Sequence, residues 1–349
     1  MEKKVAALIY GENIHFLDHL APLCYFFDIP LITNSEKIFE LTKKFYPKVK
    51  IQHIEGANIN FYIVENFDNI VTCITKEHFD SEFRLQQDVL NKEVNIVWCP
   101  HGNSDKGRTV FFMEALKDAS NVLVYGDKMI DFLKEKKIFK TIKNHLKIGN
   151  YRFRYFQEFS SFFKNIIKND ILKKLPKGNT NILYAPTWQD AEKSSSFFKV
   201  AKNLFKQLPS KYNLIVKLHP NLIDQNKNEI EKLKERYKKN NILFLDDFPP
   251  IYPILDFVDV YLGDFSSIGY DFLTFDKPLL FFKPQNEKLI SNLFDCSKLI
   301  KDENKIFETI EKSLQKNTVL QLARQKLYKY TFEDNENINF KILKKTIFN

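Results

Sequence analysis

The sequence predicts an α/β protein built from two consecutive doubly wound, Rossmann-like domains with helices at the C-terminal end. Three observations carry this. Short β-rich runs alternate with amphipathic helical patterns over residues 5–148. The stop signal Leu175-Pro176-Lys177-Gly178 interrupts the pattern, and the same alternation restarts at residue 182. A chain of 349 residues also exceeds one ordinary domain and suits two, each with its own core.

Taken in order, residues 5–10, 30–33, 69–74, 95–99, 121–125 and 145–148 read as strands, and 16–27, 36–45 and 128–137 as helices. The strands are apolar enough for the interior of a parallel sheet, covered on both faces. Residues 151–176 change to a helical pattern rich in Phe, Lys and Ile. The second series has strands at 182–184, 214–218, 242–245, 260–262 and 279–282, and helices at 197–208, 229–239, 251–257 and 268–275. Residues 308–349 read as terminal helices. The expected organisation is residues 1–152 as one Rossmann-like domain, 153–178 as a helical linker and 179–349 as the second domain with its terminal helices.

Composition narrows the class. Hydrophobic residues at 44 % and charged residues at 28 % exclude a disordered chain. The four cysteines have neither finger nor oxidoreductase spacing, so buried reduced thiols are expected. No apolar run approaches the roughly 18 residues of a membrane span, and a cytoplasmic protein is expected. A net charge of +9 points to an acidic partner, for which nucleic acid, an anionic membrane surface and a phosphorylated substrate compete. No RNA-recognition signature supports the first. Segment 151–174 places Arg152, Arg154 and several Lys among many Phe. It could lie on an anionic membrane, or it could be a helix that packs its Phe inward.

Ligands of doubly wound sheets bind beyond the carboxyl ends of the strands, and four such ends carry unusual polar residues. Cys99-Pro100-His101-Gly102-Asn103-Ser104 puts an imidazole after a buried strand, followed by a glycine that lets a substrate approach the backbone. In Tyr184-Ala185-Pro186-Thr187-Trp188-Gln189-Asp190, proline ends the strand and Thr187 offers a hydroxyl and an amide. Alternation in Val216-Lys217-Leu218-His219-Pro220 puts Lys217 and His219 on one side, a pair suited to phosphate oxygens. Gly263-Asp264-Phe265-Ser266-Ser267 ends a strand and opens a helix, offering amides, hydroxyls and the positive end of a helix dipole. Plain N-capping by serine is the competing explanation for that last group.

Together with Asp271-Phe272 and Lys277-Pro278, this ordered set resembles the CDP-glycerol glycerophosphotransferase family of polymer-building enzymes. Gly149-Asn150-Tyr151-Arg152 is similar to the family's Gly-x-Pro-Arg segment, with Tyr where Pro is usual. The resemblance implies two facing Rossmann-like domains of the GT-B type. It also implies transfer of a polyol phosphate from a CDP-alcohol to a polymer or lipid-linked acceptor. By the same resemblance, His101 matches a general base and His219 a histidine near the donor pyrophosphate. Ser266 and Ser267 match phosphate-binding serines, with Thr187, Lys217, Asp264 and Asp271 around the donor. Gly102, Asn103 and Arg152 are expected at the acceptor cleft.

Two departures concern the donor. Gln189 stands where the family has Arg, and Gly263-Asp264-Phe265 replaces Thr-Asp-Tyr. The chain lacks an Asp-x-Asp pair, and His15 and His19 lack the glutamate of a zinc-protease helix. No cofactor is therefore expected, and no divalent metal requirement. The expected partners are a nucleotide diphosphate donor and a polyol-phosphate or glycan acceptor. If that acceptor is lipid-linked, peripheral contact with the cytoplasmic face of the inner membrane follows. The alternative is a GT-B glycosyltransferase that uses a nucleotide sugar for surface glycan synthesis.

Overall fold

The computed structural model describes residues 3–106, 113–190, 194–283 and 290–348. It divides into two compact units. Unit 1 takes Met1–Gly102, Phe111–Tyr155 and Tyr330–Asn349, and unit 2 takes Asn103–Val110 and Phe156–Lys329.

Unit 1 holds seven parallel strands: β1 (Val5–Ile9), β2 (Leu31–Thr33), β3 (Ile51–His53), β4 (Asn69–Thr72), β5 (Asn95–Trp98), β6 (Asn121–Val124) and β7 (Asn144–Lys147). Their order in the sheet is β3-β2-β1-β4-β5-β6-β7. The connecting helices are α1 (Ile14–Phe27), α2 (Glu36–Phe45), α3 (Gly56–Asn66), α4 (Lys76–Leu90) and α5 (Asp127–Glu135). β1 is Val-Ala-Ala-Leu-Ile with every residue buried, as a central strand covered on both faces requires. On one face Ala6, Leu8, Ile32 and Ile70 pack against Ile59, Ile63, Phe79 and Phe83 of α3 and α4. Ser35 caps α2, its hydroxyl accepting from the Ile38 amide at 3.3 Å.

The chain continues through α6 (Tyr151–Glu158) and α7 (Ser160–Ile166), followed by a π-helical turn over Ile167–Ile171. Phe163, Ile167 and Ile171 point inward, while Lys164, Lys168, Lys173 and Lys174 point to solvent. Of the two readings of this segment, the inward-packed helix is the one observed.

Unit 2 holds β8 (Thr180–Ala185), β9 (Tyr212–Val216), β10 (Ile242–Phe244), β11 (Val260–Gly263), β12 (Leu279–Phe282) and β13 (Lys298–Ile300), all parallel, in the order β10-β9-β8-β11-β12-β13. Its helices are α8 (Phe197–Gln207), α9 (Pro220–Arg236), α10 (Tyr252–Phe257), α11 (Ser267–Phe272), α12 (Ile306–Ser313) and α13 (Thr318–Thr331), and α14 (Phe340–Phe348) ends the chain. Ile182, Tyr184, Leu214 and Leu262 pack against Phe197, Val200 and Leu204 of α8 and Ile306 and Ile310 of α12. In both sheets the order reverses beside the first strand, between β1 and β4 and between β8 and β11. Each unit is thus doubly wound, with its ligand crevice expected at that reversal.

Three features differ from the sequence expectation. First, the terminal residues do not stay with the second domain. From Tyr330 onward they join unit 1, where Phe340 stacks on Phe26 with centroids 4.6 Å apart and Phe348 meets Phe27 edge-on. The Glu333 amide donates to the Tyr125 carbonyl at 2.9 Å, and the Glu333 carboxylate pairs with Lys147 at 2.6 Å. Second, the expected linker 153–178 is no separate element, because from Phe156 it packs into unit 2. Third, β3 and β13, three residues each, are absent from the sequence reading. β3 is an edge strand with no fully buried residue, so its apolar signal is weak.

Candidate functional site

Strand register sets the site in unit 2. Tyr184 of β8 pairs with Val216 of β9, and Ala185 of β8 pairs with Gly263 of β11. The three strands therefore end level, and their following residues collect at one edge of the sheet. Only glycine fits at 263, because a Cβ there would stand 2.6 Å from the Ala185 carbonyl oxygen and 2.7 Å from the Tyr261 hydroxyl. The Tyr261 phenol fills that space and lies 3.4 Å from the Ser266 hydroxyl.

Asp264 organises the turn. One carboxylate oxygen accepts the amide of Thr187 at 3.0 Å and that of Ser196 at 3.1 Å. Burial pushes its pKa up to about 6, against the lowering effect of those bonds and of the nearby Lys106 charge. Thr187 is buried too. Its hydroxyl accepts from Lys106 Nζ at 2.5 Å and its carbonyl accepts from the Ser195 hydroxyl at 2.7 Å. The Thr187 amide expected to face a donor is thus committed to Asp264, so both residues shape the edge from beneath. A cavity of about 250 Å³ opens beside them, lined by Ser194, Ser195, Ser196, Asp264, Lys199 and Lys283 among others.

Ser266 takes the N-cap position of α11, but its hydroxyl makes no capping bond, and both Ser266 and Ser267 are half-exposed. The simple capping explanation does not hold. α11 is only six residues long and ends in a 3₁₀ turn, so its dipole is that of a single short turn and a half. Asp271 does not reach the edge. It is buried and accepts from the Tyr252 hydroxyl of α10 at 3.2 Å, on the side of α11 packed into the unit.

At the end of β9, Lys217 donates to the Phe248 carbonyl at 2.6 Å and holds the loop that follows β10. His219 caps α9, with Nδ1 accepting from the Asn221 amide at 3.2 Å. That bond requires Nδ1 to be unprotonated, so the neutral ring carries its proton on Nε2 and presents a donor there. The Trp188 ring lies 6.2 Å from the imidazole, beside the edge formed by β8.

In unit 1, His101 follows β5 and belongs to a cluster the sequence reading did not assemble. Its ring centroid lies 5.8 Å from His15, 5.2 Å from Phe16 and 6.5 Å from His19. His15 and His19 stand one turn apart on α1, directly after β1, and that i,i+4 spacing after a strand was the available signal. Burial, with His15 contributing, lowers His101 to about 3, and burial lowers His15 to about 4. His19 is held well below its ordinary range by burial and then by the Arg152 charge. The Tyr125 hydroxyl donates its single proton to the Pro100 carbonyl at 3.0 Å. It must therefore accept from His19 Nδ1, 2.9 Å away.

Gly102 turns the chain after His101 at φ +130°, in the region that favours glycine. Asn103, expected at an open cleft, is buried in unit 2 at 2 % exposure. Arg152 does not line an open surface either. It is buried, with its guanidinium 2.9 Å from Asp18, whose other oxygen accepts from Tyr46 at 2.7 Å. Its position at the start of α6 aims it into unit 1 beneath α1, where Asp18 neutralises it.

Comparisons with known proteins can now be set beside this geometry. The model of a family described as CDP-glycerol:poly(glycerophosphate) glycerophosphotransferase matches residues 134–336, more than half of the chain. The teichoic acid poly(glycerol phosphate) polymerase of Bacillus spizizenii is 33 % identical over 153 residues, 38 % of this chain and 36 % of that one. The teichoic acid ribitol-phosphate polymerase TarL of Staphylococcus aureus is 28 % identical over 131 residues, 36 % of this chain and 22 % of that one. The matches thus span about a third or less of these relatives' length. Among solved structures, the wall teichoic acid polymerase TagF aligns with 99 % of this chain and 88 % of its own at TM-score 0.67 and 13 % identity. Anabaena Alr3699/HepE in complex with UDP and glucose aligns at TM-score 0.58 and 12 % identity, covering 99 % of each chain. These likenesses establish the GT-B type of fold with its two Rossmann-like units. With a model match over most of its length and the strand-end set in family order, the chain belongs to the CDP-glycerol:poly(glycerophosphate) glycerophosphotransferase family.

Proposed function

We propose that the chain is an enzyme that transfers a polyol phosphate, glycerol phosphate or similar, from a CDP-alcohol donor to a hydroxyl of a cell-surface polymer or lipid-linked acceptor. The observation that carries this is the family match over residues 134–336, which contains the ends of β8, β9 and β11. The relatives' names bracket the alcohol as glycerol or ribitol.

In this reading the acceptor oxygen attacks the phosphorus that bears the polyol. The bond from that phosphorus to the bridging oxygen breaks, and CMP leaves with that oxygen. His101 takes the hydroxyl proton. Burial keeps it neutral at pH 7, the form a general base needs, and an approaching anionic donor raises its proton affinity. Nε2–H of His219, Lys217 and the amides and hydroxyls of Ser266 and Ser267 take the charge of the diphosphate, the electrostatic contribution that phosphoryl transfer chiefly demands. No resident metal is assigned a part.

Purified protein incubated with CDP-glycerol and a polyol-phosphate acceptor should release CMP. Consumption of a nucleotide sugar with release of a nucleoside diphosphate, and no reaction of CDP-alcohols, would select a glycosyltransferase instead. Turnover is expected to persist in EDTA, and a complete loss restored by magnesium would overturn the metal-independent assignment.

Among the described residues no helix is long and apolar enough to cross a membrane. Contact with a lipid-linked acceptor would be peripheral, through charge, since the solvent-facing side of the segment after α6 is lysine-rich. Sedimentation with anionic vesicles at low salt, lost at high salt, is the expected result. Equal recovery with neutral vesicles would remove this part of the proposal.

A further inference from the structure

Asn103 to Lys106 pack with unit 2 although they follow directly on His101-Gly102. A hydroxyl-bound carboxylate and one ion pair fix this stretch. Asp105, 4 % exposed, accepts from the Ser291 hydroxyl at 2.5 Å and from the Tyr270 hydroxyl of α11. Lys106 donates to the Thr187 hydroxyl at 2.5 Å and to Asp190 at 2.8 Å. The Lys106 and Asp190 side chains are only 19 % and 11 % exposed. Asp190 also accepts from the Ser194 amide and hydroxyl.

Placed this way, an ammonium arrives at the strand edge from a distant part of the sequence. It stands between Thr187, next to Asp264, and Asp190, next to the neutral Gln189. Lys217 is drawn toward the Phe248 carbonyl. Lys277 donates to the carbonyls of Asp256 and Val258 at the opposite ends of the strands. A diphosphate entering beside buried Asp264 would meet like charge unless cations lie there, and Lys106 is one already held against Thr187 and Asp190.

Resting on the donor reading above, we infer that Lys106 is a further donor-binding residue. Its ammonium pairs with Asp190 and transfers to a phosphate oxygen of the nucleotide diphosphate when the donor binds. Asp190 stands in for the ligand's anion and competes with it. The clamp on Asp105 holds the Lys106 backbone while its flexible stem makes that exchange. No covalent step is involved.

Calorimetric titration with CDP and with cytidine tests this on the full chain and on the variants Lys106→Gln, Lys106→Arg and Asp190→Asn. Lys106→Gln should weaken CDP about 10- to 100-fold, the worth of a hydrogen bond to a charged group, and leave cytidine unchanged. Lys106→Arg should recover most of the CDP affinity. Asp190→Asn should leave CDP affinity equal or tighter, because the competitor is gone. If Lys106→Gln binds CDP as the unmodified protein does, the inference is overturned while the donor reading stands. If Asp190→Asn and Lys106→Gln weaken CDP alike, the pair is a structural staple and the inference is equally overturned. Absence of CDP binding by the unmodified protein would sink the donor reading and this inference with it. Urea unfolding of each variant identifies any that fails to fold, and Lys106→Arg with Asp190→Asn then decides.

Discussion

The strand ends of the two units are chemically opposite. In unit 1, three imidazoles stand among aromatic rings, and burial strips them of charge. In unit 2, carboxylates, an ammonium and hydroxyls are locked to one another and to backbone amides. The first arrangement suits moving a proton at neutral pH, and the second suits holding a charged ligand. The difference teaches that fold similarity says little about what each sheet edge does, because the same doubly wound topology yields both.

The sharpest way to break this comparison is to remove the proton acceptor alone. His101→Ala should lower turnover about 10²- to 10⁴-fold, the usual contribution of a general base, with CDP affinity unchanged. Stopped CMP release with intact CDP binding by calorimetry is the expected pair of results. If turnover survives, His101 has no part in the chemistry and the division of labour fails.

The two edges should also respond to pH with opposite sign. His101 and His15 are depressed to about 3 and 4, so the unfolded chain takes up their protons first as pH falls below about 6.5. Their contribution lowers stability on acidification, through the window from 6.5 down to 4 and 3. Asp264 is raised to about 6, so from about pH 6 down to 4 the folded chain holds a proton that the unfolded chain has lost. Its contribution lowers stability as pH rises through that window, by about 3 kcal/mol once both states are ionised. Asp264→Asn should therefore stabilise unit 2 at pH 8 much more than at pH 4, and His101→Gln should help unit 1 at pH 5 and not at pH 8. The chain's two tryptophans, Trp98 in unit 1 and Trp188 in unit 2, allow each to be followed in urea after Trp→Phe at the other. An Asp264→Asn gain that is the same at both pH values would show that burial does not govern this carboxyl.

How much of this was legible in the sequence depends on the range of the interaction. β1, β4, β5, β8, β9, β11 and β12 announce themselves because inner parallel strands carry continuous buried apolar runs. Thr187, Lys217, His219 and Ser266 could be found because each follows its strand at once. What escaped is long-range. Phe340 packing on Phe26 sends the tail back to unit 1, and Lys106 reaches Thr187 across 81 residues. Burial also reassigns polar side chains without local warning: Asp271 and Arg152 look like site residues by resemblance to the family's motifs and are turned into the interior.

The smallest expected effect bears on the feature that looked strongest in the sequence, the serine pair opening α11. A six-residue helix offers little dipole, so its value to a phosphate lies in two amides and two hydroxyls. Were the Ser266 hydroxyl making a capping bond, its replacement by alanine would cost about 1 kcal/mol of stability. Its hydroxyl makes no such bond and instead lies near the Tyr261 phenol at the edge. The double variant Ser266→Ala, Ser267→Ala keeps both amides and removes both hydroxyls. It should weaken CDP about tenfold, as expected for losing one or two hydrogen bonds to a charged group, and leave the urea midpoint nearly unchanged. A lower midpoint with unaltered CDP affinity would return the pair to a structural role. The charge-holding function of this edge would then rest on Lys106, Lys217 and His219.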